Sequence, residues 1–168
     1  MEIKNILFAT DFLEGSKHAA AYAADLASRY GAKIYVVHVI QDVGKLTAWY
    51  APKVNLTELQ KTMEEKSRQE LQSCCTVGLG GYKNVEYSLL TGVPAEEIVK
   101  FQQDNNIGLI VIATNSRKEA GAKKILGSTA DLVVKFATCP VLTVVPTGEE
   151  TPESTDPKLC SDGEEIRF

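Results

Sequence analysis

Ile3-Lys4-Asn5-Ile6-Leu7-Phe8-Ala9-Thr10-Asp11 is the stretch on which the fold turns. It is short, almost continuously apolar and closed by a polar turn, so it reads as a strand buried on both faces. Strands of that kind belong to parallel sheets, where helices cover each side. The pattern recurs four times. Ile34 to Ile40 (IYVVHVI) is β-branched and apolar throughout. Val85 to Leu90, Leu109 to Ala113 and Val141 to Val145 complete the set, the last fenced by Pro140 and Pro146.

Helical patterns fill the intervals. Ala19, Ala20, Ala23, Leu26 and Ala27 recur at spacings of three and four, with Ser16 as the expected N-cap and Gly31 as the stop. Leu56 to about Val77 has helical composition and is closed by Gly78, Gly80 and Gly81. Gly92-Val93-Pro94 turns into a helix reaching about Asn105, with Pro94 suited to its first turn. Gly127-Ser128 opens a helix to about Phe136. The order β-α-β-α-β-α-β-α-β predicts an α/β fold: a three-layer, doubly wound, five-stranded parallel sheet in a single domain with right-handed crossovers. That domain spans residues 1–146. Residues 147–168, rich in Glu, Thr, Pro, Ser and Asp, are expected to form a disordered acidic tail.

At 168 residues the chain is long enough for one core, and 44% hydrophobic with 24% charged residues is the composition of a soluble globular protein. The formal charge of −4 is uneven. Residues 147–168 hold seven acids against two bases, which leaves the first 146 residues near +1. Bulk charge therefore makes no case for nucleic-acid binding. No apolar run is long enough to span a membrane. The N-terminus lacks the basic and long apolar regions of a signal peptide. Cys74, Cys75, Cys139 and Cys160 show no CxxC spacing, so reduced thiols in a cytoplasmic protein are expected rather than a disulfide framework or zinc site.

Ligands of open parallel sheets bind beyond the carboxyl ends of the strands, where the winding reverses. With strands two and four as the neighbours of strand one, those ends are Ala9-Thr10-Asp11, Val39-Ile40 and Ala113-Thr114-Asn115. The helix start at Gly127-Ser128-Thr129 has two readings: an ordinary cap, or an anion seat made of free N–H groups and hydroxyls. Asp11 likewise either caps the turn after strand one or contacts a ribose hydroxyl or base. Arg117, Lys118, Lys123 and Lys124 form a basic loop that either steers phosphates or is simply solvated.

These pieces in this order resemble the universal stress protein family over about residues 3 to 146. The resemblance rests on Ile6-Leu7-Phe8-Ala9-Thr10-Asp11, Val37-His38-Val39-Ile40, Gly92-Val93-Pro94-Ala95-Glu96-Glu97-Ile98 and the stretch from Leu109 to Val145. It implies the adenine nucleotide alpha hydrolase-like fold, a stress-response regulatory module and, in many members, an ATP site with Mg entering only alongside the nucleotide. The family motif for ATP is Gly-x2-Gly-x9-Gly-(Ser/Thr) after strand four. Here Ala113 and Ser116 replace the first two glycines, ten residues rather than nine separate Ser116 from Gly127, and Gly127-Ser128 alone is intact. Ala9 stands where a proline is often found. Ser116 in a left-handed conformation would cost roughly 1–2 kcal/mol, and about 1.4 kcal/mol is a factor of ten in affinity.

The nucleotide-site set implied is Ala9, Thr10, Asp11, Val39, Ala113, Thr114, Ser116, Gly127, Ser128 and Thr129. No catalytic or metal residue is assigned. GxSxG and HExxH are absent, and His18 and His38 read as structural. Val141 to Val145 is apolar on both faces and belongs at the sheet edge, a liability unless paired. The resemblance implies that this strand pairs with its mate in a twofold homodimer, alongside a regulatory protein partner of unknown identity. Two alternatives stand beside the nucleotide-linked module: an interaction scaffold that has lost its nucleotide, and a slow ATPase.

Overall fold

The computed structural model of the protein describes residues 2–41, 56–114 and 127–145. Trp49, Tyr50, Ser116, the basic loop, Cys160 and the tail, together with the side chains of Cys74 and Cys75, lie outside the described residues.

Five strands form one parallel sheet: β1 (Asn5–Ala9), β2 (Lys33–Ile40), β3 (Val85–Thr91), β4 (Leu109–Ala113) and β5 (Val141–Val144). Among the described residues four helices connect them: α1 (Glu14–Tyr30), α2 (Leu56–Gly78), α3 (Pro94–Asp104) and α4 (Ser128–Phe136). The strand order is β3-β2-β1-β4-β5. The chain thus winds outward from β1 in one direction as far as β3, then crosses back to β4 and winds the other way.

Successive strand residues point to opposite faces, and each face has its own core. Ile6 and Phe8 of β1, Ile34 and Val36 of β2 and Val111 of β4 face α1 and α2. There α1 presents Ala19, Ala20, Ala23 and Ala27, all essentially inaccessible, so the helix axis can approach the sheet closely. Leu7 and Ala9, Val37, and Ile110 and Ile112 face the other way onto Ala95 and Ile98 of α3 and Ala130 and Val133 of α4. Both faces of the central strands β1 and β4 are therefore dry, which is why they carry almost no alternation of polar and apolar residues, while the edge strands β3 and β5 are only partly buried. Cys139 packs against this second core, and burial pushes its thiol pKa up.

The helix ends follow local chemistry with one exception. Gly31 closes α1 in the left-handed conformation, φ 63°. Its Cβ-less backbone accepts that geometry at no steric cost. Pro94 stands at the start of α3. Ser16, however, is not the N-cap of α1. The cap position is Leu13, which has no side-chain cap bond, and Ser16 lies inside the first turn. The reason is that the preceding turn is already fastened by Asp11, which lets the helix begin three residues early.

Gln102 of α3 is buried, and its side-chain carbonyl accepts from both the backbone N–H and the hydroxyl of Thr138. It ties α3 to the link between α4 and β5. Gln102→Ala is expected to lower the unfolding free energy by about 1–3 kcal/mol, since it leaves partly buried donors unpaired. Urea denaturation checks this, and an unchanged midpoint would mean that water replaces both bonds.

Candidate functional site

The reversal of winding occurs between β1 and β4. Crossovers leave β1 toward β2 and arrive at β4 from the opposite side, so among the described residues no connection fills the gap at the carboxyl ends there. A cleft of about 320 Å³ occupies it, at the lower end of the size range of small-molecule sites.

Eight of the expected positions border this cleft. Ala9, Thr10 and Asp11 come from the end of β1, Val39 from β2 and Ala113 from β4. Gly127, Ser128 and Thr129 come from the start of α4. Asp11 and Ser128, 117 positions apart in sequence, therefore face one space. Thr114 does not border it. That residue is fully buried, and both its N–H and its hydroxyl donate to the carbonyl of Val144, which extends the β4–β5 ladder by one step. Ser116 lies outside the described residues.

Sequence reasoning missed further wall residues, among them Ser16, His38 and Gln41, and Pro94 and Ile98 at the start of α3. Gln41 follows directly on the Val39-Ile40 strand end and was within reach. Pro94 and Ile98 were not. They follow the edge strand β3, and they arrive at the cleft because α3 runs back under the sheet toward β4.

The turn leaving β1 is held by its own side chains. The Phe12 N–H donates to the Thr10 hydroxyl (3.1 Å) and the Leu13 N–H to the Asp11 carboxylate (3.1 Å). The Ser16 hydroxyl accepts from the Asp11 N–H and donates to the Asp11 carboxylate. His38 reaches across from β2 to the carbonyl of Thr10 (2.8 Å). Asp11 thus does cap the turn, in an Asx-type arrangement.

The opposite wall is electropositive without any described lysine or arginine. Helical geometry leaves the N–H groups of Ser128, Thr129 and Ala130 without intrahelical acceptors, and the first backbone bond of α4 is Asp131 N–H to Gly127 C=O. Among the described residues no side chain caps this end. The aligned peptide dipoles add partial positive charge. The start of α3 offers less, because Pro94 has no N–H and Glu96 and Glu97 already sit in the first turn. Gly127 has φ −56° and ψ 147°, a conformation open to any residue. Glycine there supplies only the missing side chain beside the cleft. Among the described residues no cluster of three His, Cys, Asp or Glu is placed to hold a metal ion.

Fold and site together define a class: doubly wound α/β domains with a ligand cleft at the reversal point of the sheet. Residues 2–145 match the family model for the universal stress protein family, and the chain belongs to that family. A universal stress protein of Methanocaldococcus jannaschii is 32% identical over 143 residues, covering 84% of this chain and 81% of that protein. Among solved structures, a universal stress protein in complex with cAMP matches with a TM-score of 0.65 at 16% identity, covering 86% of this chain and 98% of the other. The universal stress protein from Archaeoglobus fulgidus in complex with dAMP matches with a TM-score of 0.62 at 22% identity, covering 86% and 99%. At those identities the structural matches establish the shared fold.

Ser16 is 3% exposed, and its hydroxyl is the acceptor for the Asp11 N–H. Ser16→Ala is expected to destabilise the protein by about 1–3 kcal/mol through that unpaired donor. Asp11→Asn, which keeps an acceptor for the Leu13 N–H, should cost less. Thermal denaturation of the two variants distinguishes them; equal losses would contradict the assignment of the bonds.

Proposed function

We propose that the chain binds an adenine nucleotide in the cleft at the carboxyl ends of β1, β2 and β4, and that it acts as a dimeric, cytoplasmic stress-response module whose occupancy is read by a protein partner. The observation that carries this reading is the meeting of Asp11 with the uncapped start of α4 on one cleft. The N–H groups and hydroxyls of Ser128 and Thr129 suit a phosphate. Asp11 on the facing wall suits a ribose hydroxyl, and Ala9 and Val39 supply apolar surface for a base. The solved relatives with cAMP and dAMP support an adenine ligand in this fold. Mg would enter with a bound polyphosphate, held chiefly by the phosphate oxygens.

Isothermal titration with ATP, AMP and cAMP tests the reading. Binding in the micromolar to millimolar range is expected, and Gly127→Val should weaken it by at least about tenfold, or 1.4 kcal/mol, by placing a branched side chain against the phosphate seat. No heat and no thermal shift with millimolar nucleotide would remove the reading. That outcome favours the scaffold alternative, to which Ala113 lends support: its methyl group borders the cleft where the family motif has glycine.

The dimer reading rests on β5. The strand pairs with β4 alone among the described strands, which leaves its other edge as a template for a second chain. Leu132, Val134, Phe136 and Val145 are exposed on α4 and just beyond β5. Sedimentation at tens of micromolar should show a dimer, and Thr143→Pro should shift it toward monomer by removing a backbone donor. A wild-type monomer at that concentration would end the proposal.

A further inference from the structure

We infer that His38 is a positioning residue for the cleft: it fixes the Thr10 carbonyl and, through it, the placement of Asp11. The inference rests on the nucleotide reading above for its functional consequence and on geometry for its structural part.

The β1–β2 ladder ends with the Thr10 N–H donating to the carbonyl of Val37. The Thr10 carbonyl is instead met by His38 Nδ1 at 2.8 Å. A carbonyl only accepts, so Nδ1 carries the proton in the neutral ring. The next residue, Asp11, is the acidic group of the cleft, and its orientation follows from the plane of the peptide that Thr10 begins.

The same imidazole also meets the far side of the turn. Phe12 adopts φ +64°, a left-handed conformation that a residue with a bulky side chain rarely takes. Its ring lies against His38 with centroids 4.1 Å apart and planes tilted by 33°. Asp11 is thus flanked by two residues, Thr10 and Phe12, that both touch His38, one by a hydrogen bond and one by ring contact. Strained backbone persists where its surroundings over-determine it. Here the determinants are the Thr10 hydroxyl, the Asp11 carboxylate, Ser16 and His38. Three of these are local in sequence. His38 alone among them comes from another strand, and it sets the turn relative to β2 and therefore relative to the cleft wall at Val39.

Two substitutions separate this role from plain packing. The amide nitrogen of Asn sits on Cγ, as Nδ1 does, so His38→Asn keeps a donor aimed at the Thr10 carbonyl. His38→Gln moves the amide one carbon further and loses it. Both remove the ring face against Phe12, so both should lower the melting temperature, H38Q further than H38N because it also leaves the Thr10 carbonyl without its partner. The expected result is that H38N binds AMP within about threefold of wild type while H38Q is weaker by roughly tenfold or more. Hydrogen exchange at the amides of Asp11, Phe12 and Leu13 should be faster in H38Q than in H38N, a comparison that needs no ligand. Equal exchange in the two variants overturns the structural part. Equal AMP affinity with unequal exchange overturns the link to the cleft. A wild-type protein without affinity for AMP, ATP or cAMP refutes the nucleotide reading and with it that link, while the exchange comparison still decides whether His38 sets the turn.

Discussion

A parallel sheet that winds both ways from a central strand has to part at that strand's carboxyl end, and β1 is where this sheet parts. It is hydrogen-bonded on both edges, to β2 and to β4, and Ile6, Leu7 and Phe8 are inaccessible to solvent. From Ile6 to Ala9 neither face of β1 has room for a polar side chain. Its polar residues stand at the two ends: Asn5 where the strand begins, donating to the Asn105 carbonyl, and Thr10 and Asp11 just beyond the sheet. The cleft is a consequence of connectivity: one crossover departs on one face, the next returns on the other, and the space between them is left to whatever the strand ends and helix starts provide.

What they provide is asymmetric. On one wall an acidic residue is locked into a turn by its own backbone and by Ser16. On the other wall a helix begins with glycine, serine and threonine, and no described side chain caps it. A carboxylate at the cleft and an uncapped helix start serve opposite partners, a hydroxyl donor and an anion, and a molecule carrying both groups fits between them better than either alone. The acids in the first turn of α3 make that helix start less favourable to an anion than the start of α4. Small side chains at Ala9 and Ala113 keep the floor low.

Membership of the universal stress protein family sets this arrangement among relatives, and the chain departs from the family motif at Ala113 and Ser116. The departure at Ala113 falls on the cleft itself. The neighbouring Thr114 is turned into the β4–β5 ladder and contributes to the sheet rather than to the wall. The motif glycine that survives, Gly127, has a backbone conformation open to any residue, which points to clearance beside the cleft as the property retained.

Strand number, strand order along the chain, burial of both sheet faces and the helix starts at Pro94 and Gly127 were determined by the sequence alone, because each depends on a short apolar run or on a residue with a fixed local preference. The same reasoning located the strand ends that meet at the cleft, since parallel winding leaves few arrangements for five such strands. Other features were decided by tertiary structure. Ser16 looked like a cap and is a clamp on Asp11, because the turn before it is tighter than spacing reveals. His38 looked like one more buried strand residue, and its partner, the Thr10 carbonyl, lies 28 positions away just beyond the end of the neighbouring strand. Pro94 and Ile98 reach the cleft only because α3 passes back beneath the sheet. Local pattern fixes which face a residue takes; which atom it meets there depends on register and crossover, and those are properties of the assembled sheet.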